Sequence, residues 1–165
     1  MINYKIGSLF NAPVGSVIVH SCNCQGTWGA GVAAQIAERF PEAEKEYIKT
    51  CKTNTPNDLL GKFDSKMDNY RVVVSLFTSS FYGTSKDNKE NILNNTEKAL
   101  ELLFKTLSAS YPDKKIHMPM INSGLFGVPW KETEVVLTKL CNKYNTEVTV
   151  WRLHSPILST MNGNE

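Results

Sequence analysis

The sequence lacks a clustered basic excess, a long apolar run, a cysteine framework and a complete set of metal ligands. Lys and Arg number 18 against 16 Asp and Glu, a net charge of +2 with pI near 8.3. Surfaces that track nucleic-acid phosphates need a concentrated basic excess, so no strong nucleic-acid footprint is expected. No apolar stretch approaches the ~18 residues of a membrane span. The opening MINYKIGSLF also lacks the charged-then-apolar form of a signal peptide. No membrane partner is expected, and an intracellular location, cytoplasmic or nuclear, is. Cys22 and Cys24 sit close together, Cys51 and Cys141 are remote, and the spacing fits no disulfide scaffold. Reduced thiols are expected. His20-x-Cys22-x-Cys24 has no second ligand pair, since His117 and His154 are isolated, so no metal site is expected.

What is present suits one packed domain: 165 residues, 41% hydrophobic and 10% aromatic. Ser16–His20 and Tyr70–Phe77 are short apolar runs rich in β-branched residues, and read as buried strands. Residues 115–119 and 147–153 read likewise, with weaker candidates at Tyr4–Ile6 and Leu60–Phe63, the latter placed to pair with 70–77. Between them lie helical periods. Val32, Ile36 and Phe40 share one face of a helix from Gly31 that Pro41 ends, and Glu42–Cys51 follows as a second. Residues 91–107 and 131–144 carry apolar stripes at helical spacing, such as Leu93, Leu100, Leu103 and Leu107. Strands alternating with helices predict a three-layer α/β domain with a mostly parallel sheet. Ligands of such sheets lie at the C-terminal ends of the strands.

Two loops leave those ends. His20-Ser-Cys-Asn-Cys-Gln-Gly-Thr-Trp-Gly-Ala-Gly-Val-Ala-Ala34 runs from a strand through glycines into a helix start. Pro119-Met-Ile-Asn-Ser-Gly-Leu-Phe-Gly-Val-Pro-Trp130 repeats the pattern. Glycine lets backbone approach a ligand closely, and a helix N-terminus offers unpaired N–H groups to an anion. A pair of such loops points to a ligand with more than one phosphate, or a phosphate flanked by sugar. Gly29-Ala-Gly31-Val-Ala-Ala34 matches a G-x-G-x-x-A dinucleotide fingerprint. That fingerprint requires an acidic strand end about 20 residues on, whereas this interval is helical. No Gly-Lys-Ser/Thr follows, so a Walker A loop is excluded too.

Gly7-Ser-Leu-Phe, the His20–Ala34 stretch and Ile121-Asn-Ser-Gly-Leu-Phe-Gly-Val-Pro-Trp together resemble a macrodomain, in particular the yeast-type ADP-ribose 1''-phosphate phosphatases. The likeness runs from about Tyr4 to Leu153. The domain is therefore expected over 1–153, with 154–165 as a flexible tail. The resemblance implies an α/β/α sandwich around a mixed, mostly parallel six-stranded sheet, with ADP-ribose across its crest. It places Gly7, Ser8 and Leu9 near the adenine. Ser21, Cys22 and Asn23, with Gly29, Ala30, Gly31, Val32 and Ala33, fall beside the distal ribose and diphosphate. Asn122, Ser123, Gly124, Leu125, Phe126 and Gly127 close over the diphosphate. No metal or organic cofactor is implied.

The implied activity is hydrolysis of ADP-ribose 1''-phosphate to ADP-ribose and phosphate. Removal of ADP-ribose from modified protein or nucleic acid is the enzymatic alternative, and a non-catalytic ADP-ribose reader is the other. Related macrodomains that strip ADP-ribose from glutamate carry an aspartate where this chain has Phe126, which weighs against that chemistry here. His20 closes the strand feeding the first loop and could serve as acid or base, or anchor the loop. Asn23 can orient ribose or water but cannot be a base. Lys89, or its neighbour Lys86, falls where those glycohydrolases carry a catalytic lysine, although a solvated surface lysine is the reading its polar loop favours. Trp28 and Trp130 border the glycine loops, where they could wall the ribose or cover apolar surface.

Overall fold

The structure, a computed structural model, describes residues 1–153. The expected tail at 154–165 lies outside the described residues. Strand β1 (Ile2–Ile6) leads through a 3-10 turn (Leu9–Asn11) to β2 (Val17–Asn23). Helices α1 (Gly31–Arg39), α2 (Pro41–Thr53) and the single turn α3 (Pro56–Leu59) follow. The hairpin β3 (Phe63–Asp68) and β4 (Arg71–Ser79) precedes the long α4 (Lys89–Ser110), then β5 (Ile116–Pro119), α5 (Trp130–Tyr144) and β6 (Val148–Arg152). The sheet order is β1-β6-β5-β2-β4-β3, and every neighbouring pair is parallel except the β3–β4 hairpin. The expected mixed six-stranded sheet is present.

Side-chain alternation splits the core into two layers. Val17, Val19, Val74 and Leu76 face Leu100, Phe104, Leu137 and Leu140 of α4 and α5. Ile18, Cys22, Val73 and Phe77 face Ile36 of α1, Phe40 at the junction, and Ala43 and Tyr47 of α2. Strands covered on both sides read as near-continuous apolar runs, which is why β2 and β4 were plain in the sequence. Pro41 ends α1 and opens α2 as its first residue, where the missing N–H costs nothing.

Two expectations shift. Leu60–Phe63 is not a strand. Thr55 and Asp58 form a capping box around Pro56 that winds α3 and buries Leu59, so the strand starts at Phe63. It does pair with β4. Asn69 and Tyr70 both take positive φ, 48° and 60°, as the central pair of the hairpin turn, which removes Tyr70 from the strand. All parallel strands end at one edge of the sheet. The loops after β1, β2, β4 and β5 meet there.

Candidate functional site

β2 extends to Asn23, past the expected end at His20, so Ser21, Cys22 and Asn23 are strand rather than loop. Ser21 turns toward the second loop, whereas Cys22 and Asn23 both reach the Tyr47 side of the sheet. Ser21 Oγ accepts the Asn122 N–H at 3.1 Å and ties the first loop's strand to the second loop. Cys22 is buried on the other face with its Sγ 3.4 Å from His20 Nε2, and burial raises its thiol pKa. A register shift against β4 between Cys22 and Asn23 redirects the strand end. Asn23 Oδ1 accepts the Gln25 N–H and the Tyr47 hydroxyl, each at 2.8 Å, and its Nδ2 donates to Thr27 O at 2.9 Å. The amide expected to orient ribose or water thus mainly braces its own loop. Tyr47, which no local signal marked, also accepts the Thr27 N–H.

His20 is fully buried. Its ring meets the edge of Trp28 at 4.6 Å, and burial drives its pKa down to about 3. Beneath the crest the ring has Cys22 Sγ and Trp28 as neighbours, and burial keeps the imidazole neutral at ordinary pH. Trp28 is buried as well, stacked on Tyr47 at 4.6 Å. Trp130 opens α5 and donates its Nε1–H to Tyr4 Oη at 2.9 Å, again from within the core. Leu9 is buried, and Ser8 Oγ accepts the Phe10 N–H at 3.1 Å as the cap of the 3-10 turn. Gly7 backs onto the Trp151 ring. The side chains expected at the adenine end are therefore spent on the turn itself, leaving its backbone.

The two glycine loops offer free backbone amides. α1 begins at Gly31 with Ala30 as its cap, and Ala30 has no side chain to satisfy the first turn. Among the described residues, the N–H groups of Gly31, Val32 and Ala33 donate to no protein acceptor, nor do those of Gly124, Leu125 and Phe126. The two loops approach each other at Gly31 and Leu125. A Cβ on Gly31, whose φ is +61°, would lie 3.3 Å from Leu125 Cδ1 across the cleft. No other residue takes that φ and leaves that space. The second loop is closed by Gly127 N–H on Gly124 O at 3.0 Å, Val128 N–H on Asn122 O at 2.8 Å and Ser123 Oγ on Met120 O at 2.6 Å. Asn122 itself is buried, and its carbonyl closes this loop.

A third loop, after β4, completes the rim. Ser80 O accepts the Cys24 N–H at 3.3 Å and Gln25 Nε2 at 3.0 Å, which fastens it to the first loop. Asp87 Oδ2 accepts the Ser80 N–H at 2.9 Å and folds the loop back on itself. Lys86 reaches the second loop, its Cε 3.8 Å from where a Gly127 Cβ would stand. Lys89 turns away and pairs with Glu132 of α5 at 3.1 Å. Of the two lysines, the structure brings Lys86 to the cleft and leaves Lys89 on the helix surface. Among the described residues, no group of three or more His, Cys, Asp or Glu converges on a metal position.

A three-layer fold with two glycine loops presenting free amides at its crest defines a macrodomain. Residues 19–137 match the family described as Macro domain, and the chain belongs to that family. Its relatives include proteins named ADP-ribose 1''-phosphate phosphatase. That of Saccharomyces cerevisiae is 41% identical, with 83% of this chain and 89% of the relative covered. That of Meyerozyma guilliermondii is 37% identical, covering 84% and 93%. Among solved structures, the macrodomain of Mycobacterium tuberculosis DarG superposes with a TM-score of 0.74 over 92% of this chain and 97% of its own, at 22% identity, a likeness of fold.

Proposed function

We propose that this macrodomain binds ADP-ribose along its crest and hydrolyses ADP-ribose 1''-phosphate to ADP-ribose and inorganic phosphate. The observation that carries the binding is the pair of free-amide sets, 31–33 and 124–126, on two loops that approach at Gly31 and Leu125, with the positive end of α1 behind the first. A diphosphate between them exchanges water for two rows of donors. The reaction is that of the named relatives, two of them at 41% and 37% identity.

Hydrolysis moves the phosphoryl group from the anomeric oxygen to water. The P–O bond breaks, a water oxygen bonds to phosphorus, and the sugar oxygen leaves as a hydroxyl after gaining a proton. Phosphate monoesters react through loose transition states, in which positioning and charge neutralisation count for more than a strong base. That suits a site whose histidine is sealed in the core. The rim group placed to neutralise phosphoryl oxygens is Lys86, beside Gly127. Free phosphate released from the purified protein with ADP-ribose 1''-phosphate tests the proposal. In heavy-oxygen water the label belongs in the phosphate; label in the sugar would mean C–O cleavage and overturn it.

A further inference from the structure

Asn122 holds a φ of +67°, a left-handed conformation that a non-glycine residue keeps only when its surroundings fix it. Four elements do so. Its N–H donates to Ser21 Oγ of β2 at 3.1 Å. Its Oδ1 accepts from Thr78 Oγ1 of β4 at 3.3 Å, and its Nδ2 donates to Thr96 Oγ1 of α4 at 2.9 Å and Thr133 Oγ1 of α5 at 3.5 Å. The three threonines are fully buried. Thr96 spends its own proton on Ile92 O at 2.7 Å, so it can only accept from Asn122. With a donor at Thr78 and an acceptor at Thr96, the Asn122 amide has one orientation. Asn122 O in turn accepts the Val128 N–H that closes the second loop.

We infer that Thr96 is a positioning residue for the diphosphate loop, acting through Asn122 from the middle of α4. It touches no ligand. It locks the amide that sets where the Gly124, Leu125 and Phe126 N–H groups point, and couples the cleft to the α4–α5 layer beneath it. This inference rests on the reading of the second loop as the diphosphate seat.

The variants Thr96→Val, of equal shape without the acceptor, and Thr96→Ser, which keeps it, separate this role from packing. In ligand-free protein, Thr96→Val is expected to speed hydrogen exchange at the Ser123 and Val128 amides, with Thr96→Ser close to wild type. For ADP-ribose, Thr96→Val should raise Kd about threefold to tenfold, the worth of one buried hydrogen bond. KM for ADP-ribose 1''-phosphate should rise in step with little change in kcat, as for a contact made equally in ground and transition states. The inference is overturned if loop exchange in Thr96→Val stays at the wild-type level, or if Thr96→Ser is as impaired as Thr96→Val. A wild type that bound no ADP-ribose would sink the functional reading instead, and the exchange comparison would still decide the role of Thr96.

Discussion

An exposed imidazole takes up a proton near pH 6.5, and the one at position 20 resists doing so until about pH 3. Between those values the unfolded chain binds a proton there that the native chain does not. Native stability should therefore fall as pH drops through that window, by up to about 1.4 kcal/mol per pH unit from this group, and level off below it. Urea unfolding from pH 7 to pH 4 should show a steeper loss for the native protein than for His20→Gln. Parallel curves would mean that His20 titrates freely, which would restore it as an acid–base candidate. Lys86 and Lys89 divide the same way, by position. Lys86→Ala should lower kcat/KM for ADP-ribose 1''-phosphate about tenfold or more, the scale of a charge-assisted hydrogen bond. Lys89→Ala removes only an exposed ion pair with Glu132 and should change it less than twofold. A larger loss at Lys89 would reverse the assignment.

At the scale of elements, the site depends on where α1 starts. Gly31 supplies both a positive φ and the space that Leu125 fills, so Gly31→Ala should strain the turn or push the loops apart. Left-handed strain alone is worth about 1–2 kcal/mol, so calorimetry should show ADP-ribose binding weakened about tenfold. Unchanged affinity would mean that the first-turn amides are not the seat. Helices and central strands were legible in the sequence because one or both faces are apolar and periodic. The glycine loops were legible because backbone seats need glycine. The burial of His20 and Trp28 was not, because alternation along β2 decides the layer His20 enters, and Trp28 is buried by Tyr47 of α2, far along the chain. Nor were Tyr47, Ser80 and Thr96, whose partners lie far away along the chain. A single turn such as α3 is too short for periodicity to show, although its capping box at Thr55 and Asp58 is a local signal.

For the whole molecule, parallel strands carry their loops to one edge, and the two helical layers below fix those loops from beneath. On the proposed reading the sheet makes a phosphate site chiefly from backbone, with side chains serving as struts: Ser21 and Asn122 under the second loop, Asn23 and Tyr47 under the first. A site of this kind should hold a diphosphate without added metal, and a chelator should leave the ADP-ribose titration unchanged. The most direct test of the central claim is phosphate release from ADP-ribose 1''-phosphate by the metal-free purified protein, followed with free ADP-ribose as competitor. The account predicts steady turnover that ADP-ribose inhibits competitively and that Gly31→Ala weakens through KM. Turnover indifferent to ADP-ribose, or no phosphate released by a protein that binds ADP-ribose well, would contradict it.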